Sequence, residues 1–79
     1  MNNIDFLEEL KKNKDFDIKE IYKKRVGMQR ASYMLEVHHK GTFVYTQGRF
    51  LCPHETITNV KNMFVELMKI ELNKLNINY

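Results

Sequence analysis

The stretch Ala31-Ser32-Tyr33-Met34-Leu35-Glu36-Val37-His38-His39-Lys40-Gly41-Thr42-Phe43-Val44-Tyr45-Thr46 alternates Tyr33, Leu35 and Val37 with Ser32, Met34, Glu36 and His38. A period of two is that of a strand with one side buried. Gly41 accepts the positive φ that a tight two-residue connection demands, so Lys40-Gly41 reads as a turn. The β-branched and aromatic run Thr42–Thr46 then reads as the returning strand. With a two-residue loop, His39 stands opposite Thr42, His38 opposite Phe43, Val37 opposite Val44, Glu36 opposite Tyr45 and Leu35 opposite Thr46. Tyr33, Leu35, Val37 and Val44 then face inward, while Met34, Glu36, His38, Phe43, Tyr45 and Arg49 share the other face. A slip of one residue would exchange the faces and send Phe43 and Tyr45 inward.

Upstream, Phe16, Ile18 and Tyr22 alternate with Asp17, Lys19 and Lys23, although Glu20 and Ile21 break the pattern, and this predicts a first strand. Before it, Ile4, Leu7 and Leu10 lie three apart, with acids early and lysines late. A short amphipathic helix over Asn3–Lys12 is expected, with Asn3 as its cap. Downstream, no breaker occurs between His54 and Leu75. A helix of about 22 residues and 33 Å follows, with Cys52 as cap and Pro53 in its first turn, or with Thr56 or Thr58 as cap. On it, Val60, Phe64, Leu67, Met68 and Leu75 form the expected core stripe. Met63 and Ile70 lie on one flank and Val65 and Leu72 on the other, so the apolar arc spreads over roughly 220°. One sheet does not cover that arc, and Met63, Ile70 and Leu72 are candidates for a dimer surface. The element order is α-β-β-β-α: an α+β fold, one domain over residues 1–79, with a short N-terminal and a long C-terminal helix packing a three-stranded antiparallel sheet.

The composition is that of a folded globule, with 43% hydrophobic and 29% charged residues, three Gly and one Pro. No apolar window is long enough for a membrane span, and the acidic start does not resemble a signal peptide. The expected compartment is the cytoplasm of a bacterial host. One cysteine excludes an internal disulfide and agrees with a reducing compartment. The net charge of +3 is unevenly spread. Residues 1–20 hold four bases against six acids, whereas residues 21–30 hold Lys23, Lys24, Arg25 and Arg30 and no acid. That loop is the basic patch.

Catalytic chemistry is sparse. His38 and His39 are neighbours in a strand, point to opposite sides and do not ligate one metal together. Cys52 and His54 near a helix start form a thiol–imidazole pair with no third group to orient the imidazole. No Gly-rich phosphate loop is present. The expectation is therefore no enzyme, no metal and no cofactor.

The first 19 residues, MNNIDFLEELKKNKDFDIK, resemble the opening of small phage-encoded type II-A anti-CRISPR inhibitors, and the LEVHHKGTFVYT hairpin is compatible with their strand order. That resemblance implies an inhibitor that blocks a host protein such as a CRISPR effector nuclease. The family is acidic and mimics DNA, whereas this chain is basic, so none of its acidic contact residues carries over. The α-β-β-β-α order is also similar to double-stranded-RNA-binding domains and to HicA-type mRNA interferases, with Cys52-Pro53-His54 near the toxins' Pro-x-His element. The expected function is a small non-catalytic interaction protein, with a host protein as partner and the last helix as the candidate homodimer surface. The alternative is a nucleic-acid-binding module using the basic loop and the aromatic sheet face.

Overall fold

Lys40 and Gly41 both adopt positive φ, 49° and 82°, the handedness that lets a two-residue turn follow the natural twist of the strands it joins. The turn links β2 (Ser32–His39) to β3 (Thr42–Phe50), and β1 (Phe16–Lys23) lies on the other side of β2. All pairings are antiparallel. In this computed structural model, which describes residues 2–79, α1 (Asn3–Lys11) and α2 (Ile57–Lys74) complete the α-β-β-β-α order. The α+β expectation holds. Both helices pack on one side of the sheet, where Leu7, Leu10, Phe16, Tyr33, Leu35, Val37, Val60, Phe64 and Met68 share one core with their neighbours.

The hairpin begins in the expected register, with His39 opposite Thr42 and His38 opposite Phe43, and then departs from it. Val44 is a bulge residue, so Val37 pairs with Tyr45, Glu36 with Thr46 and Leu35 with Gln47. A bulge sets two residues against one and bends the strand. Here it seats both Val44 and Tyr45 in the core, with Tyr45 only 7% exposed, where strict alternation would have left the tyrosine in water. The driving force is burial of a second large apolar side chain from the same strand. Everything beyond the bulge is consequently turned over relative to expectation.

The long helix also differs. It starts at Ile57, and the Thr56 hydroxyl accepts the Asn59 N–H at 3.2 Å, so Thr56 is its cap and not Cys52. Cys52–Glu55 forms a separate turn, closed by the Glu55 N–H to the Cys52 carbonyl at 2.9 Å. Its 18 residues span about 27 Å. Val60, Phe64, Val65, Met68 and Leu72 are the buried set, while Leu67 is exposed. The helix is rolled toward α1, which covers the Val65–Leu72 flank. Asn2, not Asn3, caps α1 through the Asp5 N–H at 2.8 Å. Asn3 is thereby free to bind α2: its amide donates to the Asn62 carbonyl (3.2 Å) and Glu66 Oε1 (2.8 Å) and accepts from Lys69 Nζ (2.8 Å). Leu72, expected on a dimer surface, is fully buried. Met63 and Ile70 do stay exposed, joined by Leu67. Beyond α2, Asn76 takes positive φ and the Ile77 N–H returns to the Leu72 carbonyl at 3.0 Å, a C-terminal cap that brings Ile77 back against the core.

Candidate functional site

Side chains alternate across a strand, so the face turned away from the helices is read directly from the register. It consists of four rows across β1, β2 and β3: Lys23–Ser32–Phe50, Ile21–Met34–Gly48, Lys19–Glu36–Thr46 and Asp17–His38–Phe43. Neither helix covers it. Of the residues expected here, Met34, Glu36, His38 and Phe43 are present. Tyr45 is not, because the bulge turns it into the core. Nor is Arg49, which stands opposite Tyr33 on the helix side, where its guanidinium donates to Glu55 Oε1 and to the Phe50 carbonyl at 3.3 Å.

Phe50, Gly48 and Ile21 also take part in this face; Phe50 and Gly48 were missed by strict alternation along β3. For Phe50 and Gly48 the signal was the adjacent apolar pair Val44-Tyr45, which a bulge in β3 can bury together; Ile21 follows from the β1 alternation itself, in phase with Asp17, Lys19 and Lys23. Phe50 is 63% exposed and Phe43 54%. They lie at opposite ends, six residues apart along β2 positions, or about 20 Å. At the hairpin end, His38 meets Phe43 edge-on at 5.8 Å between ring centres and stands 3.4 Å from Glu36. At the other end Gly48 lies opposite Met34, and a Cβ there would sit 3.4 Å from Met34 Cγ. The missing side chain leaves a hollow lined by Ile21, Met34, Gly48 and Phe50.

The basic loop leaves the sheet beside Phe50. Gly27 has φ +57°, and the Gln29 N–H reaches the Val26 carbonyl at 2.9 Å, so the tip is a tight turn that presents Met28 wholly to solvent. Lys23, Lys24, Arg30, Met28, Ser32 and Phe50 line one hollow, and Arg25 faces a second one near the start of α2. None of these four bases forms an ion pair among the described residues. The lysines and arginines that do, Lys11, Lys12, Arg49, Lys61 and Lys74, all belong to the helices or the helix side of the sheet.

Glu20 accounts for the broken alternation in β1. It occupies an inward position opposite Leu35, where Tyr33 donates to it at 2.6 Å, Lys61 Nζ stands at 3.1 Å and Lys11 pairs with it from α1. Burial opposes its charge, yet the hydrogen bonds from Lys11, Tyr33 and Lys61 outweigh that and hold its carboxyl below the usual range. Burial and the same contact push the Tyr33 hydroxyl well up. Burial, with Glu71 nearby, pushes Tyr45 up to about 12, and the Tyr45 hydroxyl is buried with no hydrogen-bond partner among the described residues. At the Cys52–Glu55 turn, the Cys52 N–H and the Arg49 guanidinium hold the Glu55 carboxyl low. His54 is exposed and Cys52 half-buried; the contacts of this turn bind β3 to the start of α2.

Among the described residues no three His, Cys, Asp or Glu side chains stand close enough together to hold a metal ion, and no helix is long and apolar enough to cross a membrane. No family model, curated protein or solved structure matches the chain.

Proposed function

We propose that this protein is a small non-catalytic binding module that acts by holding another macromolecule against the open face of its sheet. One observation carries the reading: a sheet packed by helices on one side presents Ile21, Met34, Phe43 and Phe50 on the other, with no element of the chain covering them. Exposed aromatic and methionine side chains set among polar neighbours are the usual anchors of recognition surfaces. Inhibition of a host nuclease, implied by the likeness of the N-terminal segment to anti-CRISPR proteins, is a narrower form of the same reading and rests on that likeness alone.

The test is capture from cell lysate on immobilised wild-type protein and on the Phe43→Ala, Phe50→Ala double variant. Both side chains are exposed, so the variant keeps its circular dichroism spectrum. Macromolecules retained by the wild type and lost by the variant are the expected result. The same set on both columns, or none on either, would overturn the reading.

A further inference from the structure

Resting on that reading of the sheet face, we propose that its loop end is a site for single-stranded nucleic acid, with backbone phosphates on Lys23, Lys24, Arg25 and Arg30 and an unpaired base stacked on Phe50. The charge argument comes first. Residues 21–30 hold four bases and no acid, and none of the four is neutralised by an ion pair among the described residues. A cluster of unpaired cations on an exposed loop attracts a polyanion.

The open face is itself polarised. Its first row and loop are cationic, its second row is apolar, Lys19 and Glu36 cancel in the third, and Asp17 makes the fourth acidic. The hairpin end, where Lys40 at the turn offsets Asp17, carries no excess of positive charge, so a polyanion is drawn to the loop end.

Geometry selects an unpaired base over a duplex. Lys23, Ser32 and Phe50 form one row, which puts the Lys23 and Phe50 backbones about 10 Å apart across two strand spacings. Phe50 has no aromatic partner among the described residues, whereas Phe43 is met by His38. Beside Phe50 the absence of a side chain at Gly48 leaves the ring flanked by a hollow rather than by a wall. A free ring with open space beside it suits the π-face of a base, and only unstacked bases present that face. Ser32, between the cation and the ring, supplies a hydroxyl that can donate to a phosphate or accept from a base edge. In a duplex the bases are read from a groove that admits a helix or a two-stranded ribbon, and a three-stranded face does not enter it.

The experiment is fluorescence anisotropy with a labelled 12-mer oligothymidylate and a labelled 12-base-pair DNA duplex, using the full chain between about 0.02 and 0.15 M salt. Saturable binding of the single strand is expected, tighter than the duplex, with a log–log salt slope near −3 for four phosphate contacts. Phe50→Ala is expected to weaken it about tenfold, and Ile70→Ala, exposed on α2 away from the open face, to leave it unchanged. Duplex binding as tight as that of the single strand, or full affinity in Phe50→Ala, would overturn the stacking site. Failure to bind the oligonucleotide even at low salt would overturn the proposal as a whole. If the lysate capture still yields a protein that depends on Phe43 and Phe50, the binding-module reading survives that failure; if the capture fails too, both fall.

Discussion

The two ends of the open sheet face are built from similar parts and differ in how they are held and charged. The hairpin end has Phe43 against His38, Asp17 and Glu36 beside that histidine and, directly beneath it, the bulge that anchors Val44 and Tyr45 in the core. The loop end has Phe50 without a ring partner, a glycine in the adjoining row and a cationic loop wholly exposed to water. The hairpin end is shaped by what the core needs. At the loop end, four like charges without ion pairs and an exposed ring do nothing for folding, since unpaired surface cations repel one another and an exposed aromatic gains nothing from burial. That contrast is the ground for the proposal that the loop end is the recognition site.

The largest effect that would break this comparison is on affinity. Lys23→Glu with Lys24→Glu and Arg30→Glu should lower oligonucleotide affinity on the order of 100-fold at 0.1 M salt. Lys40→Glu, at the hairpin turn, should change it less than twofold. Anisotropy titrations of the two variants side by side decide the matter. Thermal unfolding should move little for either, as exposed substitutions usually stay within about 0.5 kcal/mol.

Next in size is the ion network on the helix side. Glu20→Gln should lose about 2 kcal/mol in urea unfolding at neutral pH, because the charge-assisted hydrogen bonds from Lys11, Lys61 and Tyr33 weaken together. The pH dependence has a definite sign. The Glu20 carboxyl titrates lower in the folded than in the unfolded chain, so its stabilisation is fully present above the unfolded value near 4.5 and is lost as pH falls through the lower folded value. Wild-type stability should therefore drop more steeply below about pH 4.5 than that of Glu20→Gln. A Lys23→Gln, Lys24→Gln, Arg30→Gln variant, which alters the loop and adds no carboxyl, should follow the wild-type acid profile. A loop variant with the flattened profile of Glu20→Gln would show that the two regions are coupled.

Phe50→Ala against Phe43→Ala sharpens the comparison at about tenfold in affinity. The smallest effect tests the bulge. Tyr45→Phe removes a buried hydroxyl that has no partner among the described residues and should raise stability by about 1 kcal/mol. It should do so without altering oligonucleotide binding, because the ring that holds the bulge is kept. A loss of stability would mean that the hydroxyl finds a partner in solution.

Much of this architecture is legible in the chain. The alternation in Ser32–His39 and the Lys40-Gly41 turn specify a hairpin and the pairing of His38 with Phe43, because side-chain period and turn geometry are local properties. The three-residue spacing of Leu7 and Leu10 and the unbroken run after Thr56 specify the two helices for the same reason. The basic loop is legible as composition. The candidate site is legible only in part: Met34, Glu36, His38 and Phe43 are placed by alternation, while Phe50 is hidden behind a bulge that alternation does not encode.

What the sequence determined alone, then, is the order and type of the elements and the concentration of positive charge between β1 and β2, since each follows from neighbours along the chain. The tertiary structure decided which way Tyr45, Arg49 and Phe50 point and which flank of α2 is buried. Those choices depend on area buried between elements distant in sequence. Val44 and Tyr45 both reach the core only if β3 takes an extra residue, and α2 rolls to bury Val65 and Leu72 only because α1 lies beside it.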